Sequence, residues 1–136
     1  MEHLILALLI WISAHTDYKI DVPQPALEYK SAQELSDMVY DEKILKENRF
    51  VVAAIYHIPT KTIFLNKARD FINDKQSAAI LLHELVHYVQ RENKASFPCH
   101  TASEPEAYKL QELWSKENGV LYTGLDDFEL DFVAQC

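Results

Sequence analysis

A chain of 136 residues is the size of one domain, and 49% hydrophobic against 25% charged residues gives it enough apolar side chains for its own core. Two glycines and the lack of any low-complexity run or internal repeat argue against a disordered or modular protein. A net charge of -8, from 13 Lys+Arg against 21 Asp+Glu with no basic cluster, argues against nucleic acid as a partner, because such a surface repels phosphate.

Residues 4–14 (LILALLIWISA) form an apolar run broken only by Ser13. It is shorter than the roughly 20 apolar residues a bilayer span requires. Its length suits the core of a signal peptide, with the small residue Ala14 at a cleavage point, although Glu2 and His3 stand where Lys or Arg is usual. The other reading is a buried N-terminal strand or helix. The expectation is therefore an export segment over residues 1–15, which gives the only membrane contact, and one domain over 16–136 in a secreted or periplasmic protein. The cysteines fit that expectation. An even count in an exported chain points to one disulfide, Cys99 to Cys136, with two free thiols as the alternative. No CxxC spacing marks them as metal ligands.

Residues 17–29 read as irregular, punctuated by Pro23 and Pro25. Ser31 opens a helix: SAQE has the Ser-x-x-Glu capping form, and Leu35, Met38, Val39 and Leu45 follow at helical spacing toward Asn48. Residues 50–58 (FVVAAIYHI) and 62–65 (TIFL) flank a turn at Pro59, Thr60 and Lys61 and read as a β-hairpin. Asn73 or Asp74 caps a second helix to about Asn93, with Ala78, Leu81, Leu82, Leu85 and Val89 in helical phase. A loop through Phe97, Pro98 and Cys99 leads to a third helix, from Ser103 or Glu104 to Asn118, which Gly119 stops. Residues 125–133 form a short amphipathic helix whose acidic run is a solvated face. The sum is an α+β fold.

Within the second helix lies HELVH, residues 83–87. His83 and His87 are four apart, so both imidazoles project from one helix face and can share one cation. Neutral imidazole is a good zinc ligand. Glu84 is turned about 100° round the axis, too far to be a natural ligand but placed to take a proton from a water the metal has acidified. A catalytic zinc usually has three protein ligands. Glu106 shares a face with Leu110 and Leu113, and Glu104 shares one with the polar Tyr108, Gln111 and Ser115. Inward phase favours Glu106 as the third ligand, since a carboxylate amid apolar residues demands a charge partner. Glu104 and His100 stay open as alternatives, as does a capping role for Glu106 after Ser103.

HELVH followed by eighteen residues and Glu106 in SEPEAYKL resembles the gluzincin metallopeptidases, and the spacing is similar to that of their aminopeptidase branch. The resemblance implies a zincin-like fold in which a small hairpin or sheet packs on the HExxH helix and a ligand helix follows. It implies Zn2+ as cofactor and a peptide or protein as substrate. It also implies that the strand before the active-site helix, here Thr62, Ile63, Phe64 and Leu65, is an edge to which an extended substrate pairs. The Gly-x-Met-Glu-Asn exopeptidase signature is absent, and Leu110 stands where thermolysin-like members carry an Asp. The carboxylate that would orient a ligand His is therefore unassigned. Candidates to stabilise an oxyanion are Tyr108, Tyr122, His57 and His100. The expectation is a zinc peptidase with Glu84 as general base. Two other readings are a non-catalytic zinc-binding or interaction module on the same fold and a metal-free helical domain.

Overall fold

The computed structural model describes residues 1–39 and 52–136. The part of the first expected helix beyond Val39 and the strand residues Phe50 and Val51 lie outside the described residues. The apolar N-terminal run forms helix α1, Glu2–His15. Ile5, Leu8, Leu9 and Ile12 are at most 2% exposed and join the main core, while Leu6 and Ile10 face outward. The segment expected as an export signal packs into this core.

Among the described residues three strands form the sheet: β1 (Ala26–Lys30), β2 (Ala54–His57) and β3 (Thr62–Asn66), in the order β1-β3-β2. The hairpin is as expected: β2 runs antiparallel to β3, from Ala54 opposite Leu65 to His57 opposite Thr62. β1 lies in the stretch read as irregular. It pairs parallel with β3, from Ala26 opposite Thr62 to Lys30 opposite Asn66, just beyond the prolines that hid it. That pairing overturns the expected edge strand. Thr62, Ile63, Phe64 and Leu65 are in the middle strand, every residue of which is buried. A continuous apolar run such as TIFL is what a strand covered on both faces requires.

Ser31 and Glu34 exchange backbone and side-chain bonds, closing the expected capping box ahead of helix α2, Ala32–Val39. Helix α3, Lys75–Glu92, begins at Asp74, whose carboxylate accepts from the amides of Gln76 (3.2 Å) and Ser77 (3.3 Å). Apolar side chains around most of its circumference are buried, because α1, β2 and the next helix all pack on it. A short 3-10 turn, His100–Ser103, feeds helix α4, Glu104–Glu117, which lies against α3. The chain leaves α4 through Gly119 at φ 68°, a left-handed conformation suited to glycine. Helix α5, Asp127–Val133, starts with a capping box between Asp126 and Glu129. Cys99 and Cys136 form the expected disulfide, fixing the chain end beside the turn that precedes α4. The fold is α+β, with α3 between the sheet and α4.

Candidate metal centre

His83 and His87 are one turn apart on α3, only 6% and 7% exposed, and their Nε2 atoms stand 3.2 Å apart. The third group that converges on them is Glu104, the first residue of α4. Its Oε2 lies 3.5 Å from His83 Nε2, and its Oε1 makes a close contact with His87 Nε2. One nitrogen from each imidazole and a carboxylate oxygen fall within 4.8 Å of one another, a set that could hold a metal ion.

Glu106, the ligand favoured by sequence, is elsewhere. Its Oε1 accepts from Tyr18 Oη at 2.6 Å and from Gln90 Nε2 at 2.9 Å. The capping alternative is absent too: Ser103 caps no α4 amide and instead donates to His100 O. The inward phase of α4 differs from the expected one for a physical reason. Gln111 and Ser115, taken to mark a solvated face, are 5% and 1% exposed, whereas Leu113 on the Glu106 side is 40% exposed. Glu104, Tyr108 and Gln111 form a polar stripe because they meet the two histidines across the α3–α4 contact.

Both imidazoles are held from behind by carboxamides. His83 Nδ1 lies 3.0 Å from Gln111 Oε1, and His87 Nδ1 lies 2.9 Å from Gln90 Oε1. These glutamines occupy the place where a carboxylate was sought. The signal for them was available: Gln90 sits one turn beyond His87, and Gln111 seven residues beyond Glu104 on the same face.

Glu84 borders the site, with Oε2 anchored by the Tyr56 amide at 3.0 Å. Burial pushes its carboxyl above the usual carboxylate range against the pull of His83 and His87. Burial would raise Glu104 too, but hydrogen bonds from both imidazoles outweigh it and hold that carboxyl well below the usual range. For His87, burial favours the neutral ring, and contact with Glu104 overrides it to raise the pKa. Two neighbouring carboxyls thus have environments that push them in opposite directions, a pattern associated with functional sites.

The matching family model, a domain of unknown function, DUF6647, covers residues 1–136. The chain belongs to the DUF6647 family. No curated protein and no solved structure matches it. The family match includes α1 as well as the residues of the candidate site.

In this DUF6647 domain the histidines, Glu84 and Glu104 open onto a cavity of about 630 Å³. Of the four oxyanion candidates, Tyr108 and His100 line it. The Tyr108 ring packs edge-on to His83 with centroids 4.3 Å apart, and the His100 ring is 5.8 Å from that of His87. His57 instead pairs with Thr60 at the hairpin turn, and Tyr122 donates to Leu125 O. Ala54, Ile55 and Tyr56 of β2 form part of the wall, so the strand beside the site is β2 rather than β3.

Proposed function

We propose that this domain is a small zincin-like zinc peptidase, with His83, His87 and Glu104 as ligands and Glu84 as general base. The observation that carries the reading is the convergence of both Nε2 atoms and the Glu104 carboxylate at the mouth of a cavity that Glu84 also lines. The spacing of the imidazoles suits the ion, since two nitrogens each about 2.0–2.1 Å from one zinc stand about 3.3 Å apart, close to the observed 3.2 Å, while the Glu104 oxygen now in direct contact with His87 Nε2 would draw back to bind it. Two imidazoles and one carboxylate are also the donor set of a zinc site that leaves a fourth position open.

Bound zinc would supply Lewis acidity, polarising a peptide carbonyl and acidifying water. Glu84, its Oε2 fixed by the Tyr56 amide, takes the proton of the attacking water and delivers it to the leaving amine. The burial that raises its pKa brings it nearer to working pH, which suits both halves of that transfer. Tyr108, which lines the cavity with its ring edge-on to His83, can donate its phenol proton to the developing oxyanion. An extended peptide would lie along β2, where the Tyr56 amide points away from β3 toward Glu84. The disulfide is consistent with an extracellular location, and among the described residues no helix is long and apolar enough to cross a membrane. An extracytoplasmic location, with α1 kept as a wall of α3, belongs to this proposal.

Purified protein should take up about one zinc per chain. Glu84→Gln should retain that zinc and lose roughly 10²–10⁴ in peptidase rate, since Gln keeps the shape but cannot accept the proton. A wild-type protein that refuses zinc in titration rules out the metal site. Zinc binding with no cleavage of any peptide mixture would favour the non-catalytic module, for which the Glu84–Tyr56 bond is a purely structural tie.

A further inference from the structure

Behind His87 runs a chain of polar contacts, buried at Gln90 and half-buried at Glu106 and Tyr18, that the reaction does not consume. Gln90 is 2% exposed, and its Nε2 lies 3.2 Å from Ser103 O and 2.9 Å from Glu106 Oε1. A backbone carbonyl and a carboxylate can only accept, so the amide nitrogen must face them and Gln90 Oε1 must face His87. Glu106 in turn accepts from Tyr18 Oη at 2.6 Å. The Ser103 hydroxyl, 3.5 Å from His87 Nδ1, spends its proton on His100 O at 2.6 Å and so offers Nδ1 only lone pairs. Among the described residues, both hydrogen-bonding neighbours of Nδ1 therefore accept.

We propose that Tyr18, Glu106 and Gln90 form a positioning relay that fixes the proton of His87 on Nδ1 and leaves Nε2 bare, setting the metal affinity of the site from a charge held one residue removed. The inference rests on the metal site proposed above. The relay explains why a carboxylate sits on α4 two residues past the ligand. Glu106 acts through Gln90, whose amide it aligns and polarises, instead of bonding the imidazole itself. His83 meets a single carboxamide, Gln111, at 3.0 Å, so the two ligands are supported unequally.

The order of the charges gives the test. Gln90→Glu puts two carboxylates face to face, and Glu106→Gln removes the relay's anion. Exchanging both, Gln90→Glu with Glu106→Gln, restores a carboxylate acceptor for His87 and an amide donor behind it. Zinc titration of metal-free protein, with the visible spectrum of Co2+ as a second readout, should show each single variant binding about 10–100-fold more weakly and the exchange recovering most of the loss. Tyr18→Phe should weaken binding in the same direction. A purely structural role would give losses that add in the double variant, and that result, or single variants that bind like wild type, would overturn the relay while leaving the metal site intact. Failure of the unaltered protein to bind zinc would overturn both. Should Gln90→Glu not fold, Glu106→Gln, nearly identical in shape at a part-exposed position, decides alone: undiminished zinc affinity excludes the relay.

Discussion

Glu104 and Glu106 are two residues apart and perform different tasks. Glu104 reaches both imidazoles, while Glu106 reaches Gln90 and Tyr18. Glu104→Ala should therefore abolish zinc binding, and Glu106→Ala should weaken it without abolishing it. Paired titrations of the two variants check this, and the reverse order would mean that α4 is rotated from the orientation described. The same residues set the pH response of the metal-free protein. The His87 pKa is raised by Glu104 against the effect of burial, so its stabilisation is complete below the unfolded value of about 6.5 and is lost as pH rises through the folded value. Glu84, raised by burial, changes stability in the same sense. Metal-free protein should thus melt at a lower temperature when pH is raised from about 6.5 toward 8. Zinc should reverse the trend, since ligation requires the neutral ring. Parallel melting curves with and without a chelator provide the comparison.

At the scale of elements, α3 is the member on which the site depends, because it carries His83, Glu84 and His87 and is covered by α1, β2 and α4. Its start is fixed by Asp74, whose carboxyl is held below its usual value first by the Ser77 hydroxyl and then by the amides it caps. A depressed carboxyl stabilises the fold above its unfolded pKa of about 3.9, and the contribution is lost as pH falls through the folded value. Asp74→Ala should cost about 1 kcal/mol at neutral pH, as for other N-cap losses, and progressively less in acid. Chemical denaturation at the two pH values measures it, and an equal cost at both would show that the carboxylate is not what caps α3. The disulfide acts on the neighbouring element. It closes a 37-residue separation and holds Cys99, one residue before the turn that delivers Glu104. Chain-entropy reasoning gives such a closure about 4 kcal/mol.

For the molecule as a whole, the question with the largest consequence is α1. Four of its side chains are at most 2% exposed in the common core and pack toward α3, which carries both histidines. Removing buried Leu or Ile side chains typically costs 2–5 kcal/mol each, roughly the range of a whole domain's stability when several go together. A chain beginning at residue 16 should therefore melt well below the full-length chain and bind zinc more weakly, since α3 would lose one wall. Equal melting temperatures would mean that the helix is a passenger, as a cleaved export segment would be.

Local rules made much of this molecule legible. The Ser31–Glu34 box, the Asp74 cap, the Gly119 stop, the hairpin and the i, i+4 histidines depend on neighbours within a few residues, and each lies where the sequence placed it. What required the tertiary structure was every decision about which face is inside. The choice of third ligand rests on an inward face being apolar, a rule that fails where the inward face lines a polar site: Gln111 is buried where it meets His83 across the helix contact. Likewise β3 is central only because β1, a short strand between proline-rich and helical stretches, returns from far along the chain to pair with it. An apolar run such as that of α1 carries no information about whether it stays with the chain or leaves it. Only the complementary face on α3 shows that the fold has a place for it.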